Sequence, residues 1–271
     1  MSYLHGSAAP EQDRLARMNA LINEACLRVI APRGERSALD LGSGLGQFTR
    51  ALARALGQGA RVLGIEADDA QRASAERLAV DDREAALVEF RAGRAEAPPL
   101  RDDESGSFDL AHARFLLEHH RAPLDVVRAM VHAVAPGGRI VLLDDDHEVL
   151  RLWPQAPATM TLWQSYVRGY ERLGCDPFVG RRLPALLAAA GAAPQRAALV
   201  DFGACAGQPQ FEGLVANLAR VMDSARSHLV REELAEAADF DAMHAELATW
   251  SRRPGATIWY SIAFAEGRKP A

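Results

Sequence analysis

The sequence predicts an α/β fold built on a doubly wound, mostly parallel sheet, and three observations carry that prediction. Short apolar runs alternate with helix-spaced segments between residues 37 and 146, as in strands covered by helices on both faces. The turns between them are short and rich in Gly, Pro, Asp and Ser. The first apolar run feeds a glycine cluster that opens directly into a helical segment.

Taken in order, Leu15, Met18, Leu21, Ile22, Ala25 and Val29 recur at helical spacing and predict one or two helices over 11–30. Pro32 and Gly34 end that region. Ser37 to Leu41 is a strand, Gln47 to Leu56 a helix stopped by Gly57 and Gly59, and Arg61 to Ile65 a second strand. A helix over 69–78, strands over 86–91 and 108–113, a helix over 124–134 and a strand over 139–144 follow. Beyond Asp146 the pattern changes. Helices are expected over 163–173 and 183–190, strands over 197–202 and 258–265, and a long helical insertion over 211–250.

The 271 residues are 49% hydrophobic and 25% charged, the balance of a chain that can bury a sizeable core. The formal net charge is -5, and arginines are scattered among acids with no dense basic run. A nucleic-acid partner is therefore not expected. Cys26, Cys175 and Cys205 match neither a metal knuckle nor a disulfide framework, which fits a reducing compartment. The start of the chain does not read as a signal peptide, and no apolar run approaches the roughly 20 residues that span a bilayer. A cytoplasmic location with no membrane partner is expected.

The most informative stretch is Ala38-Leu39-Asp40-Leu41-Gly42-Ser43-Gly44-Leu45-Gly46. Glycines there permit a tight turn and let backbone N–H groups approach a ligand closely. The spacing is G-x-G-x-G with an acid two residues before the first glycine, whereas the dinucleotide fingerprint is G-x-G-x-x-G. A carboxylate entering the turn repels a pyrophosphate and favours a cationic group. The second strand ends at Glu66, whose carboxylate can accept both hydroxyls of a ribose.

From Ser37 to Asp144 the sequence resembles the class I S-adenosylmethionine-dependent methyltransferases. Four motifs in order carry the resemblance: the glycine turn, Ala92-Gly93-Arg94-Ala95-Glu96, Phe108-Asp109-Leu110-Ala111-His112-Ala113-Arg114, and Ala135-Pro136-Gly137-Gly138. The resemblance implies a Rossmann-like sheet of seven strands with an antiparallel last strand. It implies S-adenosylmethionine as cofactor and in-line methyl transfer to a small-molecule acceptor. On that pattern Asp40, Gly42, Ser43, Gly44 and Gly46 line the methionine and ribose, Glu66 takes the ribose, and Ala67 flanks the adenine. Arg94 stands where the family often has Asp, so the backbone of Ala95 or stacking by Arg94 replaces the usual adenine contact. Arg114 is expected to act through its backbone. Residues 1–36 would form a helical lid, with Tyr3 and Gln12 or Arg14 near the methionine carboxylate. Residues 37–146 would be the cofactor-binding core, and 147–190 and 207–253 helical insertions on the substrate side, all in one domain.

Methyl transfer from a sulfonium rests mainly on orientation and calls on a base only when the acceptor arrives protonated. His119 and His147 are the base candidates, with His119 also close to the cofactor. For His119 and His120 the competing reading is a helix-start or supporting histidine. For Asp144-Asp145-Asp146-His147 it is a solvated loop with local Asx turns. A substrate-facing acid or histidine comes next and divalent-metal ligation last, so no metal is expected. Trp153, Trp163, Tyr166 and Tyr170 read as packing or as an aromatic pocket lid, which points to an aromatic or heterocyclic acceptor. Met130, Met160 and Met222 read as core fillers. The rival functions are an NAD-dependent oxidoreductase and a non-methylating S-adenosylmethionine binder on the same fold. The long insertion is compatible with a homodimer.

Overall fold

The computed structural model describes residues 22–271. Tyr3, Gln12 and Arg14 lie outside the described residues. Helix α1 is described over 22–30. Eight strands follow: β1 (Ser37–Leu41), β2 (Arg61–Glu66), β3 (Val88–Ala92), β4 (Phe108–Arg114), β5 (Val134–Asp145), β6 (Arg151–Trp153), β7 (Ala193–Cys205) and β8 (Thr257–Arg268). The remaining helices are α2 (Gln47–Leu56), α3 (Asp69–Asp81), α4 (Pro123–Ala133), α5 (Pro157–Arg172), α6 (Leu183–Ala189), α7 (Phe211–Arg231) and α8 (Ala237–Trp250).

The sheet runs β3-β2-β1-β4-β5-β8, parallel from β3 to β5, with β8 antiparallel to β5. Strands β1 and β2 read as continuous apolar runs because helices cover both faces. One core layer packs α4 and α6 against the sheet through Val126, Met130, Leu183 and Leu187. The other packs α1 and α2 through Ile22, Cys26, Phe48 and Leu52. A separate core joins α5, α7 and α8 around Tyr166, Met222, Phe240 and Trp250.

Local chemistry sets the ends of these elements. Asp68 caps α3 by accepting from Gln71 N–H at 2.9 Å. Helices α4, α5 and α6 each begin with a proline in the first turn, where its missing N–H has no intrahelical partner to lose. A reciprocal capping box between Glu236 and Asp239 starts α8.

The expected seven strands become eight. Strand β8 is 12 residues long and overhangs the end of β5. Its overhanging edge pairs with β6, which the sequence placed in a helical insertion. Unpaired backbone groups on that edge are satisfied this way. Strands β5 and β6 thus pair with successive stretches of β8, 262–268 and 257–259, so the turn between them lies opposite residues 260 and 261. The insertion over 211–250 resolves into α7 and α8. Among the described residues, no helix is long and apolar enough to cross a membrane.

Candidate active site

The glycine turn sits at the carboxyl end of β1. Gly42, Gly44 and Gly46 all adopt left-handed backbone, with φ of 69°, 53° and 67°. Gly42 and Ser43 both donate N–H to Ile65 C=O, which ties the turn to the end of β2. A Cβ on Gly42 would meet Leu116 at 2.8 Å, and one on Gly46 would meet Phe90 at 2.3 Å. At Gly46 the neighbour is a ring, so packing excludes a side chain, whereas at Gly42 it is the movable end of Leu116. Gly44 differs: a Cβ there meets only the Gln71 Oε1 atom, at 3.3 Å. Its open side is where a ligand can approach the backbone.

Glu66 reaches into the turn. Its Oε2 accepts from Gly44 N–H at 2.8 Å and its Oε1 from Asp68 N–H at 2.9 Å. The carboxylate is thus oriented while each oxygen keeps a further lone pair. Burial pushes its pKa above the ordinary carboxylate value, against those backbone donors. Ser43 Oγ is buried with no hydrogen-bond partner, an unsatisfied group at the same turn. Ala67 is exposed beside Glu66.

Asp40 lies beneath this turn. Register places it opposite His112 across β1 and β4. Its Oδ1 lies 2.7 Å from His112 Nδ1, and its Oδ2 accepts from Thr49 Oγ1 at 2.6 Å. Both oxygens are committed, and the residue is 3% exposed. What Asp40 gives the turn is its placement, since burial and these two partners hold the carboxylate inside the protein. Arg114 has its guanidinium 4.3 Å from the Phe48 ring centre and donates to Asn23 Oδ1 at 3.0 Å. Its side chain therefore links β4 to α1 and α2.

The turns after β3 and β4 border a cavity of about 440 Å³ lined by Arg94, Glu96, His119, His120 and Cys175, among others. Arg94 is exposed and pairs with Glu96, while Ala95 is buried at 5%. His120 is buried, and desolvation lowers its pKa, opposed by Glu96. His119 stacks on Tyr170 with ring centres 5.5 Å apart.

Behind His119 lies a buried polar cluster at the end of β5. Asp144 is fully buried and accepts from the N–H groups of Leu116, Leu117 and Glu118, so it braces the turn after β4. Burial and the charge of Glu118 push its pKa up to about 8. His147 is 3% exposed. Its ring is packed by Trp163, Tyr166 and Tyr170, with centres 5.3, 5.4 and 5.1 Å away. Its Nδ1 lies 3.0 Å from Tyr260 Oη and its Nε2 2.9 Å from Glu118 Oε2. Donor atoms of Glu118, Asp145 and His147 all fall within 4.8 Å of one another.

The solvated-loop reading of 144–147 is therefore corrected. Helix α5 and strand β8 cover the segment, and of the expected Asx turns the one at Asp146 forms, accepting from Glu148 N–H. Trp153 parts from the other aromatics: it is 62% exposed on β6. Three residues at the site escaped sequence reasoning: Glu118, Tyr260 and the His112 partner of Asp40. No local signal gives them a role, although His112 stands in the β4 motif, because each meets its partner across elements distant in sequence.

Residues 39–142 match the protein family described as "Methyltransferase domain". The ubiquinone biosynthesis O-methyltransferase of Methylococcus capsulatus is 39% identical over 106 residues, 39% of this chain and 41% of that protein. The chain spans about half the length of the curated relatives it matches. Among solved structures, the YcgJ protein of Bacillus subtilis superposes with a TM-score of 0.59 at 16% identity, covering 92% of this chain and 98% of that one. Geranyl diphosphate C-methyltransferase from Streptomyces coelicolor, solved with Mg²⁺, geranyl diphosphate and S-adenosyl-L-homocysteine, gives 0.56 at 13%, covering 93% and 78%. Segment 39–142 thus matches the methyltransferase-domain model, and the chain shares its fold with the two solved structures just named.

Proposed function

We propose that this chain transfers the methyl group of S-adenosylmethionine to a small-molecule acceptor. The observation that carries the reading is the turn of three left-handed glycines with the Glu66 carboxylate held against Gly44, inside the segment that matches the family. The residues present fit the cofactor. Glu66 offers two oriented acceptors to a ribose, Gly44 leaves room for a close approach, and Ser43 Oγ lacks a partner. Ala67 and Ala95 flank the adenine side. When bound there, the cofactor supplies a methyl group already activated on a sulfonium.

The chain's own part is to seat and orient the acceptor and, for a hydroxyl acceptor, to take its proton. His119 is placed for that role because it borders the cavity, whereas His147 is shut behind the α5 aromatics. A cavity of this size suits a small molecule. Tyr170 stacks behind His119 and is 1% exposed, so it supports the histidine ring and leaves contact with the acceptor to the side chains that line the cavity.

The test is release of S-adenosylhomocysteine from S-adenosylmethionine with a panel of phenols, quinols and heterocycles. Turnover with a member of the panel, reduced about 10²- to 10⁴-fold by His119→Gln with cofactor affinity unchanged, supports the reading. Cofactor binding without turnover on any small acceptor would favour the non-methylating binder on the same fold.

A further inference from the structure

We propose that this chain docks on anionic lipid surfaces through one face of the β6-β8-β7 end of the sheet. Register defines that face. Trp153 lies opposite Thr257, Arg151 opposite Trp259, and Trp259 opposite Gly203. Directly paired residues and residues two apart on a strand share a face, so these five stand on one side. The other side carries Leu152, Ala204 and Ile258, which pack into the core of α5, α7 and α8. On the first side Trp153 is 62% exposed and Trp259 48% exposed, so two large apolar rings on adjacent strands are presented to solvent together.

Both indoles are backed by fixed structure. A Cβ on Gly203 would meet Trp259 Cδ1 at 3.0 Å, so that ring lies against the backbone of β7. Pro154, which follows Trp153, accepts from the Trp250 indole N–H at 2.6 Å. That bond pins the turn after α8 beside β6, and the turn carries Arg252 and Arg253, both exposed. Neither meets a carboxylate among the described residues, and Arg151 donates to the backbone carbonyls of Glu148 and Leu150. The Glu148 carboxylate itself is held by Arg181 at 2.7 Å. Three arginines without an acid thus border the indoles in a chain of net charge -5. The acid on this face, Asp201, lies at its margin opposite Ser261 and accepts from the Ser261 hydroxyl at 2.6 Å.

Charge and shape choose the occupant. Indole rings settle at the boundary of a bilayer, and guanidinium groups beside them meet lipid phosphates. Strand β6 has three residues, too short an edge to pair with a strand from a protein partner, so side chains make the contact. Docking of this kind needs no spanning helix. It replaces the expectation from the sequence of no membrane partner, which rested on the lack of a spanning run.

The experiment sediments the full chain with vesicles of phosphatidylcholine, with and without phosphatidylglycerol. Binding to the mixed vesicles about 100-fold tighter than to neutral ones is expected, since each arginine near an anionic surface contributes about fivefold. High salt should weaken it. Acyl chains carrying bromine should quench the tryptophan fluorescence of the bound protein. Trp153→Ala combined with Trp259→Ala should remove that quenching and weaken binding at least about tenfold. Arg252→Glu combined with Arg253→Glu should lower the preference for phosphatidylglycerol at least about 25-fold. Near-ultraviolet circular dichroism checks that each variant is folded, and the arginine pair, in an exposed turn, keeps the test open if the tryptophan variant is not. Equal binding to the two kinds of vesicle, or undiminished binding by the double tryptophan variant, would overturn the proposal. A lipid-free dimer in sedimentation velocity that the double tryptophan variant loses would overturn it too, giving the face to a second copy. Retention on polyglutamate with no vesicle binding would give it to an acidic protein instead. None of these readouts involves S-adenosylmethionine, so this proposal and the methyl-transfer reading fail separately.

Discussion

Replacing Gly46 with alanine separates the two jobs done by the glycine turn. At Gly46 the backbone has φ of 67°, and a Cβ would sit 2.3 Å from Phe90 Cζ and 3.1 Å from Ala75 Cβ. The left-handed conformation costs an alanine about 1–2 kcal/mol. Crowding between α2 and the β3 ring adds about 1–3 kcal/mol, because Ala75 behind the site blocks an easy retreat. The sum is about 2–5 kcal/mol, which for a domain of this size lowers the melting temperature by about 5–15 °C. Gly44→Ala meets only the movable end of Gln71, so it carries the backbone cost alone, about 1–2 kcal/mol. Its effect should appear in cofactor affinity, since the added methyl lies on the open side of the turn. Differential scanning calorimetry on both variants, with and without S-adenosylhomocysteine, makes the comparison. A Gly46→Ala protein as stable as Gly44→Ala would refute the packing argument.

Three further outcomes follow from the same geometry. Arg139 is 3% exposed between Glu35 and Glu266; Arg139→Met takes the cation from Glu35 while Glu266 keeps Arg196 and Arg33, and should cost about 1–3 kcal/mol in urea unfolding; a loss near zero would show the network is dispensable. The pKa of His120 is lowered by burial, so the unfolded chain takes up its proton first as pH falls. Its contribution is present above the ordinary histidine pKa and is lost below it, so wild-type stability should fall more steeply from pH 7 to pH 5 than that of His120→Gln; parallel slopes would contradict this. Thr49→Val removes the donor to Asp40 Oδ2 and leaves a buried carboxylate short of one hydrogen bond, which should cost about 1–3 kcal/mol by thermal unfolding. An unchanged melting temperature would mean that the bond does not hold the turn.

Much of the sheet could be read from residues 37–146, because strands buried on both faces announce themselves as apolar runs and glycine turns punctuate them. The positions of Gly42, Gly44, Gly46 and Glu66 at the strand ends follow from that alone. What stayed hidden depended on pairing across distance. Tyr260 meets His147 only because β8 runs antiparallel past β5 and continues to β6, a register that no local pattern encodes. Asp40 points toward a ligand in the sequence because an acid beside a glycine turn invites that reading; the structure turns it to His112 and Thr49 instead. The acids at 144–147 resemble a solvated strand end until α5 and β8 are laid over them. Among them Asp144 proves to be a brace for the turn after β4.

The most direct measurement is calorimetric titration of the full chain with S-adenosylhomocysteine, repeated with Glu66→Ala and with NAD as competitor. If the oriented carboxylate and the open glycine cradle an adenosyl group, a single site binds, NAD fails to displace the ligand, and Glu66→Ala weakens binding by at least about tenfold, the worth of one charge-assisted hydrogen bond. Heat with NAD and none with the adenosyl ligand would contradict the account at its root.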